Sequence, residues 1–163
     1  MIILGIDPGY ATVGFGVIEN SGGLNKALEY GVIQTPKDES LPKRLAKISS
    51  GFEILIDRYK PDAIAIEELF FTNNQKTAIL VAEARGAILL TVYARCKNLF
   101  EYTPLQIKQA MTGYGRADKK QIQQMVKTFL NLKDVPKPDD AADALAVALT
   151  HAQTNRLAGL FGI

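Results

Sequence analysis

The chain has 163 residues, 47% of them hydrophobic and 22% charged, the balance of an ordinary globular protein with a single domain and one sizeable core. Nineteen basic against 17 acidic residues leave a net charge of only +2, and the lone cysteine, Cys96, excludes an internal disulfide and a cysteine-rich zinc site. No basic n-region opens the chain, and the longest apolar stretch, Thr77 to Ala94, is interrupted by Glu83 and Arg85, so neither a secretion signal nor a membrane span is expected and the protein is placed in the cytoplasm.

In chain order, Ile2–Ile6 reads as a buried strand that stops at Asp7-Pro8-Gly9, a turn sequence. Val13–Ile18 alternates as a second strand, Ser21-Gly22-Gly23 turns the chain, and Ala27–Gln34 makes a third, giving an antiparallel meander. From Pro42 the period changes: Leu45, Ile48, Phe52, Leu55, Ile56 and Tyr59 follow helical spacing until Lys60-Pro61-Asp62 stops the helix. Ala63–Ile66 is a short apolar strand that delivers Glu67, and a long helix runs from about Gln75 to Cys96. Leu99–Tyr102 forms another strand, Thr103-Pro104 opens a helix with proline in its first turn, and Asp118 caps a further helix through Leu130. Asp139 or Asp140 starts the last helix, which reaches about Gln153. This order of elements predicts an α/β protein with a mixed five-stranded sheet flanked by helices.

Acidic residues punctuate that plan. Asp7 and Glu67 end strands that an α/β sheet sets side by side, and ends of parallel strands meet on one edge of such a sheet. Glu67 follows Ala-Ile-Ala-Ile, a strand buried on both faces, so its carboxylate needs a partner, while alternation turns Glu68 the other way. An aspartate near a helix N-terminus ordinarily caps it, but Asp139, Asp140 and Asp143 exceed what capping requires. Asp139 can cap while Asp140 points inward with Asp143, one turn along, and Ala141, Ala142, Ala144 and Ala146 leave room for close packing on the sheet. Clustered carboxylates raise one another's pKa unless a cation neutralises them. The expected occupants are hard divalent ions on oxygen ligands, Mg²⁺ with Mn²⁺ as a substitute, the chemistry of phosphodiester hydrolysis. With four of 17 acids so committed, 13 remain against 19 bases, a surplus of six that suits a polyanionic substrate.

Ile-Leu-Gly-Ile-Asp7-Pro-Gly, Ala-Ile-Glu67, Glu83-Ala-Arg-Gly86 and Asp140-Ala-Ala-Asp143-Ala-Leu-Ala146 with Thr150-His151 resemble the RuvC family of Holliday junction resolvases, in order over nearly the whole chain. The resemblance implies a ribonuclease H-like fold and a homodimeric endonuclease that cuts two opposed strands of a four-way DNA junction symmetrically. It also implies about two Mg²⁺ or Mn²⁺ ions per active site and the RuvA–RuvB branch-migration complex as partner. Carried over by position, the catalytic and metal-binding acids would be Asp7, Glu67, Asp140 and Asp143. Tyr10 and Val13 depart from the family, standing where hydroxyl residues are common. The other reading of the pattern is a related nuclease acting on ribosomal RNA precursor. An actin-like phosphotransferase would need a second, similar domain that 163 residues cannot supply.

Lys108, Arg116, Lys119 and Lys120 flank the Gly113-Tyr114-Gly115 turn and are assigned to DNA phosphates, Lys108 and Lys119 matching basic positions of the resolvases. Phe70, where the family has an aromatic, is assigned to stacking on an unpaired base. On the helix from Gln75, the apolar residues Ile79, Leu80, Val81, Ile88, Leu89, Leu90 and Val92 spread around most of the circumference. Such a helix needs cover on two sides, one from the sheet and one from a second copy of the chain. His151 stands eight residues beyond Asp143, roughly 12 Å along a helix, and is read as a helix-end packing or polar contact.

Overall fold

The computed structural model describes residues 1–69 and 75–154. Strands β1 (Ile2–Asp7), β2 (Thr12–Ser21) and β3 (Leu24–Gln34) form the expected meander, followed by α1 (Leu41–Tyr59), β4 (Ala63–Glu67), α2 (Gln75–Arg95), β5 (Leu99–Tyr102), α3 (Pro104–Thr112), α4 (Lys119–Phe129) and α5 (Asp139–Thr154). The sheet order is β3-β2-β1-β4-β5, with β4 parallel to β1 and β5 parallel to β4. The β2–β3 hairpin turns on Gly22 and Gly23, both at positive φ, which glycine adopts without a Cβ clash. β3 begins three residues earlier than expected because Leu24, Asn25 and Lys26 pair with Ser21, Asn20 and Glu19; these residues are largely solvent-facing and carry no apolar period to announce a strand.

The helix ends follow local chemistry. Lys60 adopts a left-handed φ of 46° and closes α1 with a 2.8 Å bond from its N–H to the Ile56 carbonyl. Thr103 with Gln106, and Asp118 with Gln121, form reciprocal capping boxes at the starts of α3 and α4. The core lies in two layers. One face of the sheet packs on α1 and α2, through residues such as Ile48, Phe52, Ile88 and Val92; the other packs on α3, α4 and α5.

The packing of α5 is unusually intimate. A Cβ added to Gly5 would lie 2.1 Å from the Ala144 carbonyl oxygen, one on Gly14 would lie 2.0 Å from the Asp140 carbonyl oxygen, and one on Gly16 would meet the Leu145 side chain. Three glycines of β1 and β2 thus face a helix of buried alanines, and the helix axis comes down onto the sheet where larger residues would hold it off.

By length and composition α2 is apolar enough to cross a membrane, although Glu83 and Arg85 interrupt its apolar stretch. In this fold it lies against α1, with Ser49 and Thr91 sharing a 2.8 Å hydrogen bond, and Arg85 pairs with Glu101 of β5. Its buried stripe is narrow, Ala84, Ile88 and Val92, while Ile79, Leu90 and Tyr93 face outward.

Candidate active site

Because Ile6 of β1 stands opposite Ile66 of β4 in parallel register, the next residues, Asp7 and Glu67, emerge side by side at the carboxyl edge of the sheet. The Glu67 carboxyl stands close enough to Asp7 to raise the Asp7 pKa. Asp7 is also in register with Gly14 of β2, the glycine beneath the first turn of α5. That close approach carries Asp140 and Asp143, one helical turn apart, over the end of β1. One carboxylate oxygen each from Asp7, Asp140 and Asp143 lies within 4.8 Å of the others.

The crowding has an electrostatic signature. Burial, then the charges of Glu67, Asp143 and Asp140, push the Asp7 carboxyl up to about 8. Burial, then Asp143, pushes Glu67 up to about 7, although the proximity of Asp7 and the charges of Lys119 and Lys108 oppose this. Asp143 is also raised by burial, against the pull of its hydrogen bond with Lys119. At neutral pH the cluster therefore holds protons that ordinary carboxylates would have released. An all-oxygen, partly buried set that resists ionising together fits a hard divalent cation, which would displace those protons.

Asp139 plays a different part. Its Oδ1 accepts hydrogen bonds from Gln123 Nε2 at 3.1 Å and Lys137 Nζ at 3.2 Å, so it braces α5 against α4 and leaves the inward position to Asp140. Lys119 Nζ stands 3.1 Å from Asp143 Oδ2 and 3.7 Å from Asp139 Oδ2. With Lys108, Glu67 and Asp143 it lines a cleft of about 280 Å³ between α3, α4 and α5. Arg116 and Lys120 are exposed beside this region and do not line the cleft. Phe70 lies outside the described residues.

His151 is buried, stacks on Phe100 at 4.4 Å and shares a 2.8 Å hydrogen bond through Nδ1 with the Tyr102 hydroxyl. It is a packing and polar contact, as its distance along the helix implied. Sequence reasoning missed the seam of Gly5, Gly14 and Gly16, whose signal was visible as glycines recurring at alternate positions in a strand. It also missed the brace on the loop after Asp7, where Thr35 Oγ1 donates to the Tyr10 carbonyl at 2.6 Å and Arg44 Nε donates to Thr35 Oγ1 at 2.8 Å.

The family model for crossover junction endodeoxyribonuclease RuvC matches residues 3–151. A crossover junction endodeoxyribonuclease RuvC from Alkaliphilus oremlandii is 56% identical over the whole of this chain and 99% of its own length. The Clostridioides difficile protein of the same name is 54% identical over 96% of this chain and 93% of its own. Among solved structures, T. thermophilus RuvC in complex with Holliday junction substrate superposes with a TM-score of 0.91 at 36% identity, covering 96% of each chain. The mixed five-stranded sheet and its helices are thus the ribonuclease H-like fold of that structure. On sequence and fold together, the chain belongs to the RuvC family of crossover junction endodeoxyribonucleases.

Proposed function

We propose that this protein is a structure-selective endonuclease that resolves four-way DNA junctions by symmetric, divalent-metal-dependent hydrolysis of phosphodiesters. The observation that carries the proposal is the convergence of Asp7, Asp140 and Asp143 to within 4.8 Å, with Glu67 at the adjacent strand end, in a chain 56% identical to a protein named for crossover junction cleavage. An activity on ribosomal RNA precursor is not favoured, because the relatives that match over the full chain are endodeoxyribonucleases.

Asp7, Glu67, Asp140 and Asp143 would hold Mg²⁺, two ions to a site, with Mn²⁺ able to substitute, since all four offer hard oxygen donors. Bound there, the metal supplies neutralisation of the anionic diester and a hydroxide at neutral pH. The protein's own part is to fix the acids on two strand ends and one helix, so that little reorganises when substrate arrives. Lys108 and Lys119, on the wall of the same cleft, attract and seat the phosphodiester backbone, with Arg116 and Lys120 extending the positive surface. Phe70 is assigned to stacking on a base unpaired at the crossover.

Two equivalent cuts call for two equivalent sites, and α2 offers the means. Along its outer stripe Ile79, Ala82, Gly86, Leu90 and Tyr93 are exposed, and a Cβ on Gly86 would meet nothing within 4 Å among the described residues. A second α2 across a two-fold axis would cover this face. A cytoplasmic homodimer of this single domain, served by a RuvA–RuvB-type branch-migration complex, completes the proposal.

The test is to incubate the purified protein with a labelled four-way junction, a plain duplex and an RNA–DNA hybrid, with and without Mg²⁺. Paired nicks on opposed strands of the junction, in Mg²⁺ only, are expected. Equal cutting of duplex or preference for the hybrid would refute it.

A further inference from the structure

A recess of about 400 Å³ opens on the β3 side of the active-site edge, lined by Thr12, Gln34, Thr35, Lys37 and Lys47 among others. Beside it Arg44 is held in one place: its Nε donates to Thr35 Oγ1 at 2.8 Å, its Nη2 reaches toward the Tyr10 carbonyl at 3.4 Å, and its guanidinium sits 4.8 Å from the Tyr10 ring centroid. Thr35 is 5% exposed, and its N–H donates to the Ala11 carbonyl at 2.9 Å. The end of β3 is therefore stitched to the loop that follows Asp7, and the recess is a built surface.

Its charge is uncommitted. Arg58, Arg85 and Arg95 each pair with a carboxylate, whereas no ion pair among the described residues engages Lys37, Arg44 or Lys47. Lys43 adds a further exposed cation on α1; exposed Asp38 and half-buried Glu39 follow Lys37 in the chain and do not line the recess. An arginine fixed by neutral acceptors keeps its whole charge for an anion.

Register fixes where this surface stands. Thr12 pairs with Gln34 at the same edge at which Gly14 pairs with Asp7. Neighbouring strands lie about 4.8 Å apart, so β3 is roughly 10 Å from β1. Lys108 and Lys119 lie on the other side of the acids, toward β4 and β5.

We propose that this recess, with Lys37, Arg44 and Lys47 as cations and Thr12 and Gln34 as neutral hydrogen-bonding groups, is a second phosphate-binding subsite. It holds the DNA strand that crosses Asp7, about three nucleotides from the cut at the ~3.4 Å rise of each strand, on the far side of the acids from Lys108 and Lys119. The inference rests on the proposed nuclease function. It adds that the strand is gripped on both sides of the scissile phosphate, through contacts that set register without reading sequence.

The experiment measures binding of a labelled four-way junction without divalent ions across a salt series. It compares wild type, Lys37→Gln/Lys47→Gln, Arg44→Gln, and a control, Lys26→Gln/Lys60→Gln, whose residues lie toward the opposite edge of the sheet. Each lost phosphate contact lowers the slope of log K against log[salt] by about 0.9. The Lys37/Lys47 variant is expected to lose close to two such contacts, Arg44→Gln about one, and the control none. Binding at moderate salt should fall about tenfold in the double variant, with the thermal shift on adding Mg²⁺ unchanged. A slope equal to wild type, or a loss matched by the control, overturns the subsite while leaving the nuclease function standing. Failure of wild type itself to bind the junction overturns both.

Discussion

Asp7→Asn should make the metal-free protein more stable while abolishing cleavage. Burial and three neighbouring acids move the Asp7 carboxyl from an ordinary 3.8 to about 8. At about 1.4 kcal/mol per pKa unit, ionised Asp7 costs the metal-free fold at most about 5–6 kcal/mol. Asparagine still loses hydration and leaves Glu67 buried, so the net gain at pH 8 is on the order of 2 kcal/mol. For a chain of this size that is a rise of about 4–8 °C in melting temperature. The pH dependence has a definite sign. Folded pKa values above the unfolded ones mean that the native state binds the extra protons, so stability falls as pH rises toward about 7 for Glu67 and about 8 for Asp7. His151, lowered to about 4 by burial, works in the opposite sense but only below its ordinary 6.5, so the range from pH 6.5 to 8.5 isolates the acids. Thermal melts in chelator over that range should show wild type losing about 2 kcal/mol and Asp7→Asn losing less. Saturating Mg²⁺ should raise the wild-type melt and leave the variant nearly unmoved. A metal-free Asp7→Asn protein melting at or below wild type at pH 8 would refute the electrostatic account of the site.

Gly14→Ala puts a methyl group 2.0 Å from the Asp140 carbonyl oxygen, so α5 must lift. Junction cleavage should fall by at least tenfold with junction binding largely kept, whereas wild-type cleavage by a soluble, folded Gly14→Ala protein would show that the seam does not position the acids. Leu90→Glu places a charge on an exposed stripe where Leu90 is 77% accessible. Light scattering should then report a monomer whose melting temperature in the absence of DNA is no lower than that of wild-type monomer, and a variant that stays dimeric would remove α2 from the interface.

The strand ends and helix starts that build the site were legible because local chemistry decides them. Glu67 closes an Ala-Ile-Ala-Ile strand buried on both faces, and Asp118 is followed three residues later by Gln121, the spacing of a capping box. Asp140 shares a helix face with Asp143 at i,i+3, but spacing alone left open whether it or Asp139 is the inward acid. What stayed hidden depends on partners far along the chain. Asp139 shares a helix face with Asp143 by spacing, yet Gln123 and Lys137 draw it aside. The glycines of β1 and β2 read as weak strand residues until the backbone of α5 is seen lying on them. Arg44 reads as one more surface cation, and only its contacts with Thr35 and Tyr10, nine and 34 residues away, reveal a fixed group.

Lys119 joins the two halves of the site, and its removal should have effects of opposite sign. Its Nζ lies 3.1 Å from Asp143, yet its side chain is 54% exposed. It therefore neutralises the acids in part and is also open to a phosphate. Lys119→Ala frees Asp143 of a competing cation. A pair this exposed contributes about 0.2–1 kcal/mol, so the Mg²⁺ concentration at half-maximal thermal shift should drop by up to about fivefold. The same change deletes one phosphate contact, so junction affinity should fall and the salt slope should decrease by about 0.9. Lys108 makes no ion pair with a carboxylate among the described residues, so Lys108→Ala should lower junction affinity while shifting the Mg²⁺ requirement far less. If Lys119→Ala instead required more Mg²⁺, the lysine would be holding the acids in place for the metal, and its ion pair with Asp143 would be part of the site's framework and no rival to the cation.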